Sequence, residues 1–333
     1  MTRHRRGPWS NRGVRRVKDG PGDGRRRLFG DCDIGSAGSV AVMKIGLFAI
    51  NYGTCADPEA AVRVARHAEA AGFESVWTGE HVALPDPAPR GFTMPATLPL
   101  LDTIAALTLV AAHTSTIKVA SGIIVLPLRN PVILAKELAS VDVVSNGRLI
   151  AGFGAGYVSA EFAAAGVPMA GRGVRMEDYI RAMRALWSMD RPVYQGRFVS
   201  FTGIDAHPRP RQRPAPPIVI GGEAPAALRR AVMMAEGWYG FNLDVPETGR
   251  LAGALRQLAG ECERPAGLGP LELTVTPAGP LDKATVDRYA ELGIDRLVLL
   301  PQPDASPPQR HAPVPVDRIL RNIDTVADQI LGS

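Results

Sequence analysis

From Met43 onward the chain alternates two patterns: short runs in which nearly every position is apolar, and longer runs in which apolar residues return every three or four positions. The first suits strands buried on both faces, the second amphipathic helices. "KIGLFAI" (44–50) reads as a strand, and "DPEAAVRVARHAEAAG" (57–72) as a helix with Asp57 as N-cap, Pro58 in the first turn and Gly72 at its end. The unit then recurs. "ESVWTGEH" (74–81) precedes a helix opened by Asp102, "IKVASGIIVL" (117–126) a helix over 131–145, and "RLIAGF" (148–153) the helix in "RMEDYIRAMRALWS". "PIVIGG" (217–222) leads into a helix over 224–236, and "GWYGFNL" (237–243) into one starting near Pro246. "LELTVTP" (271–277) leads into "DKATVDRYAELG", and "DRLVLLP" (295–301) into a last helix over about 315–331. Eight such units predict an α/β fold, a (β/α)8 barrel of the TIM type. Residues 82–101 and 157–173 are long segments after the second and fourth strands, which puts these insertions on the C-terminal rim. A further insertion, "VYQGRFVSF" (193–201), has hairpin alternation around Gly196.

One stretch, "RLIAGFGAGY" (148–157), carries three glycines at alternate positions. It is not the dinucleotide fingerprint: Tyr157 and Ser159 stand where a third glycine belongs, and Arg172 and Gly173 where the acidic residue belongs. At the end of a barrel strand these glycines face the mouth, and Gly221-Gly222 end the next strand immediately before a helix. Side by side, the two ends predict a phosphate pocket of main-chain amides aided by a helix dipole. The same glycines also suit tight strand-to-helix turns, and the residues alone leave both readings open.

Hydrophobic residues make up 46% and charged residues 21% of 333, a globular composition, and no run of about 18 apolar residues would span a membrane. The net charge of +5 is unevenly placed. Residues 1–42 hold ten Lys/Arg against four Asp, and the rest 28 against 29, so the body is nearly neutral and gives no sign of a nucleic-acid partner. The 1–42 segment is expected to be a disordered basic extension, preceding one domain over 43–333. An RNA-binding arm and a targeting peptide compete with a functionless tail; the tail is preferred, because a strand follows at once from Met43, itself a suitable initiator. "LFGDCDIGSAGSVAV" is too polar for the core of a secretory signal. Cys32, Cys55 and Cys262 are too scattered for a disulfide scaffold or a zinc site, pointing to a reducing, cytoplasmic setting. "FAINYG" lacks the paired histidines of a metal-dependent hydrolase, and no G-x-S-x-G elbow is present.

The run "RLIAGFGAGYVSAEFAAAGVPMAGRGVRMEDYIRAMRALW", followed by "YQGRFVSF" and "PPIVIGGEAPAALRRAVMMAEGW", resembles the luciferase-like flavin and deazaflavin oxidoreductases, most closely the branch using coenzyme F420. The similarity covers about 43–300. It implies a TIM-type barrel whose cofactor ring enters the mouth with its phosphate at the rim, and hydride transfer between F420 and a small organic substrate. An FMN-dependent monooxygenase and a non-catalytic flavin-binding protein are the alternatives. "SGIIV" (121–125) matches the family's third-strand bulge, which implies a non-prolyl cis bond at Gly122-Ile123, with Ile123 behind the ring and Val125 beside the cofactor. "TGEH" matches the second-strand end, making Glu80 a cofactor contact and His81 a proton donor, a role imidazole suits. Tyr157 takes the place of a second catalytic acid, and Pro85 that of an aromatic residue in the family's sugar-phosphate dehydrogenases, which argues against such a substrate. Ala155, Gly156, Ala160, Gly221, Gly222, Ala224 and Pro225 match the phosphate contacts. At Ala155 bacterial luciferase has an arginine for the FMN phosphate, and its absence favours F420. Arg90, Phe92 and Met94 offer lid contacts to substrate, and family members often pair as homodimers through the barrel's helices.

Overall fold

Side-chain caps set where most of the helices begin. Asp57 accepts from the Ala60 amide, Asp102 from Ile104 and Ala105, Asn130 from Val132 and Ile133, Asp244 from Glu247, and Asp282 from Thr285. These open α1 (Pro58–Ala70), α2 (Thr103–His113), α3 (Pro131–Val144), α7 (Val245–Glu261) and α8 (Lys283–Glu291). Four helices start without one: α4 (Ser159–Ala164), α5 (Arg172–Ser188), α6 (Pro225–Met234) and α9 (Val316–Val326). The computed structural model describes residues 43–302 and 313–332. The expectations placed on 1–42, and on Cys32, lie outside the described residues.

The strands are β1 (Lys44–Leu47), β2 (Ser75–Thr78), β3 (Lys118–Ser121), β4 (Ile124–Val125), β5 (Leu149–Gly154), β6 (Tyr194–Gln195), β7 (Ser200–Phe201), β8 (Ile218–Gly221), β9 (Gly237–Leu243), β10 (Glu272–Pro277) and β11 (Arg296–Leu299). β1 pairs in parallel with both β2 and β11, the series continues through β10, β9, β8 and β5, and β3 pairs with both β2 and β5. The sheet therefore closes into the expected eight-stave barrel. The third stave is broken into β3 and β4 around a cis Gly122-Ile123 bond, as the resemblance implied, and β4 resumes pairing with β5 one residue out of step with β3. β6 and β7 form the antiparallel hairpin expected around Gly196. Two boundaries differ from the pattern. The insertion over 157–173 holds the short helix α4, and the second strand ends at Thr78, leaving Gly79, Glu80 and His81 in the loop above it.

One apolar cluster fills the space between strands and helices; a second, of Phe48, Tyr52, Trp77, Leu98, Ala120, Ile150, Val219, Tyr239 and Val298, fills the barrel itself. The floor is ionic. At the strand starts the fully buried Arg296 donates to both Glu74 oxygens at 2.8 and 2.9 Å, pairs with Glu272 and lies 5.7 Å from the Trp77 ring. Against the cost of burial, the Arg296 guanidinium and Lys118 hold the Glu74 carboxyl down to about 2. The chemistry is thus left to the opposite, C-terminal end.

Candidate active site

Ile123 leaves the broken third stave half-buried and fills a notch made by glycines on the neighbouring staves. A Cβ on Gly152 would lie 3.0 Å from its Cγ2, and Cβ atoms on Gly154 and Gly221 would lie 2.5 and 2.3 Å from its Cδ1. The register Phe153↔Ile220 explains why two strand ends serve one side chain: it sets 154 beside 221. The Cβ missing at Gly221 thus leaves room for Ile123. Gly156 has φ +78°, and a Cβ there would meet Val125 at 2.5 Å and Phe162 at 2.9 Å. At Gly222, φ is +115°, its amide points to the Tyr239 carbonyl at 3.4 Å, and its carbonyl accepts from Trp238 Nε1 at 2.9 Å. Both main-chain groups of Gly222 thus serve the sheet.

The donors open to an anion lie a step further on. Gly222, Glu223, Ala224, Pro225 and Ala226 are exposed, and Ala224 caps α6 without a side-chain bond, so this helix presents its positive end to solvent. Ala155 is half-buried and Ala160 is exposed on α4. Two cations stand by: Arg172 Nε donates to the Gly156 carbonyl at 2.9 Å, and the Arg230 guanidinium lies against Gly173 while bonding Glu177 at 2.9 Å. Glu223 adds a carboxylate beside the start of α6, pushed up first by burial and then by Glu247.

Glu80 and His81, adjacent in sequence, turn different ways. The side chain of Glu80 is 3% exposed; it accepts from Arg129 Nε and Nη2 at 3.1 and 3.2 Å and from the Val125 amide at 3.3 Å. Arg129 also reaches Asp102 at 2.6 Å. Burial pushes the Glu80 carboxyl up against the opposing pull of Arg129. The acid that the family match made a cofactor contact thus ties the loop after Ile123 to the second stave. His81 Nδ1 lies 3.0 Å from Glu161 Oε2, and Glu161 Oε1 accepts from the Val82 and Ala83 amides at 2.7 and 3.4 Å. The His81 ring meets Phe92 and Tyr157 edge-on, at centroid distances of 5.6 and 6.0 Å. Tyr157 is 68% exposed, and its phenol is raised by partial burial and by the Glu161 charge.

Of the lid residues, Phe92 is brought to His81, Met94 packs on the barrel-interior cluster, and Arg90 is exposed. The pattern missed the aromatic wall opposite. Phe48 packs 5.2 Å from Phe241 and 6.0 Å from Tyr52, and Phe241 remains 42% exposed at the end of β9. Aromatic residues at the C-terminal ends of two staves were the signal available. The pattern also missed Glu161, whose partner lies 80 positions away. Among the described residues no group of His, Cys, Asp and Glu could hold a metal ion, and no helix is long and apolar enough to cross a membrane.

A family model described as luciferase-like monooxygenase matches residues 41–281. A protein of Mycobacterium tuberculosis described as uncharacterized is 32% identical over 252 residues, 73% of this chain and 86% of its own. The oxygenase component of a flavin-dependent trigonelline monooxygenase from Acinetobacter baylyi is 33% identical over 173 residues, 51% of this chain and 45% of its own. In fold, the chain is similar to an F420-dependent secondary alcohol dehydrogenase in complex with an F420-acetone adduct, with a TM-score of 0.68 at 17% identity, covering 87% of this chain and 98% of that one.

Proposed function

The chain belongs to the luciferase-like monooxygenase family, and from that premise we propose that it transfers a hydride between coenzyme F420 and a small organic substrate at the C-terminal mouth of the barrel. The observation that carries this reading is His81: 10% exposed at its side chain, held by a buried carboxylate and faced by two aromatic rings. The residues present fit such a cofactor. Ile123 offers an apolar seat beside the mouth, and the open start of α6, with Arg230 on the same helix and Arg172 at the Gly156 carbonyl, suits a phosphate. A bound deazaflavin supplies the two-electron carrier.

The chain's own residues do the rest. His81 takes or gives the proton that accompanies hydride movement, at the ring nitrogen not occupied by Glu161. Phe48, Phe241, Phe92 and Tyr157 exclude water and orient a flat, uncharged substrate. Arg129 pairs with Glu80 and also with Asp102, so the buried Glu80 carboxylate has its countercharge within a local network.

The second reading is an FMN-dependent monooxygenase, favoured by the likeness to the Acinetobacter oxygenase component. Against it stands Ala155, which provides no cation at the position where bacterial luciferase holds the FMN phosphate. Separate titrations of the purified protein with F420 and with FMN decide between them. Saturable F420 binding is expected, and tight FMN binding without response to F420 would reverse the assignment.

A further inference from the structure

Glu161 sits on α4, inside the insertion after β5, and its side chain is 3% exposed. The hydrogen-bond partners of its carboxylate all come from the loop after β2: the Nδ1 atom of His81 and the amides of Val82 and Ala83. An ionised carboxylate only accepts hydrogen bonds, and both amides only donate, so the one arrangement that satisfies all four groups puts a proton on Nδ1. We propose that Glu161 is a positioning residue that fixes the tautomer of His81, holding the ring proton on the buried side and leaving Nε2 as the acceptor toward the mouth. What Nε2 then does rests on the functional reading above; which nitrogen carries the proton does not.

The consequence for chemistry has a direction. With a substrate oxidised at a hydroxyl-bearing carbon, Nε2 would take the O–H proton as the C=O bond forms, and the hydride of the C–H bond would go to the two-electron carrier that an oxidised deazaflavin would supply. A neutral ring of the opposite tautomer has no lone pair at Nε2 and cannot accept that proton.

The test is Glu161→Gln, which keeps the volume and changes the donors. The amide oxygen is claimed by Val82 and Ala83, which can only donate, so the NH2 group turns to His81 and Nδ1 must become the acceptor. The proton then moves to Nε2. Long-range proton–nitrogen correlation spectra of protein labelled at histidine nitrogen, recorded without cofactor, read this directly; the His81 signals are identified by their loss in His81→Gln. The expected result is an Nδ1–H ring in the native protein, an Nε2–H ring in E161Q, and the native pattern retained in Glu161→Asp, which keeps the carboxylate. An unchanged tautomer in a folded E161Q, or an Nε2–H ring in the native protein, overturns the proposal. In turnover, kcat of E161Q is expected to fall about 100-fold or more with KM nearly constant. A tautomer switch with kcat unchanged upholds the positioning role and removes His81 from the chemistry.

Discussion

The fit of Ile123 into its glycine notch can be tested by a double-mutant cycle. In Gly221→Ala the new Cβ would come within 2.3 Å of Ile123 Cδ1, while the next atoms, Cγ1 and Cγ2, lie at 3.4 and 3.5 Å, ordinary contact distances. Gly221 is not among the positive-φ positions, so alanine is permitted by the backbone and the cost is packing alone. Overpacking of this kind costs about 1–3 kcal/mol. Ile123→Val deletes Cδ1, the one atom in the way, and costs about 0.5–1.5 kcal/mol by itself, toward the lower end because the side chain is half-buried. In the valine background the alanine fits. The double variant should therefore be more stable than the sum of the singles by about 1–2 kcal/mol, within the range for residues in contact. Urea unfolding, with equal m values across the four proteins, measures this. Strict additivity would mean that Ile123 does not occupy the notch, and the seat proposed for the cofactor would go with it.

His81→Ala should leave cofactor affinity intact and slow turnover about 100-fold or more; unchanged turnover would remove the histidine from the mechanism. Glu74, held down to about 2 by Arg296 from an ordinary value of 4.5, contributes stability that is fully present above about pH 4.5 and is lost as pH falls toward 2. That contribution is about 3 kcal/mol, so E74Q should flatten the acid limb of a stability-against-pH curve, and an unaltered slope would contradict the assignment. Glu223→Gln should tighten phosphate-bearing cofactor by about 2- to 5-fold, since one opposing charge leaves the start of α6; weaker binding in a cofactor titration would place the phosphate elsewhere.

The barrel was legible because strands buried on both faces and helices with one apolar stripe differ in period, and because Asp57 and Asp102 mark helix starts chemically. The site was legible only in part. Phe48 reads as one more apolar residue in a buried run, and nothing local says that its ring turns into the barrel and meets Phe241. Gly154 and Gly221 were read as openings for a ligand; only the register of β5 on β8 reveals that both yield to Ile123. Glu80 was matched to a cofactor contact, and its bond to Arg129, 49 positions on, is a feature the local pattern does not show. α4 escaped notice because it has six residues and no side-chain cap, and with it went Glu161, whose meaning depends wholly on a histidine in another loop.

The measurement closest to the central claim is anaerobic single-turnover mixing of the protein with F420, in both oxidation states, and a panel of small alcohols, ketones and alkenes. The expected result is a change in deazaflavin absorbance that depends on substrate, proceeds without oxygen and is slowed in His81→Ala. Turnover that occurs only with reduced FMN and molecular oxygen would contradict the account.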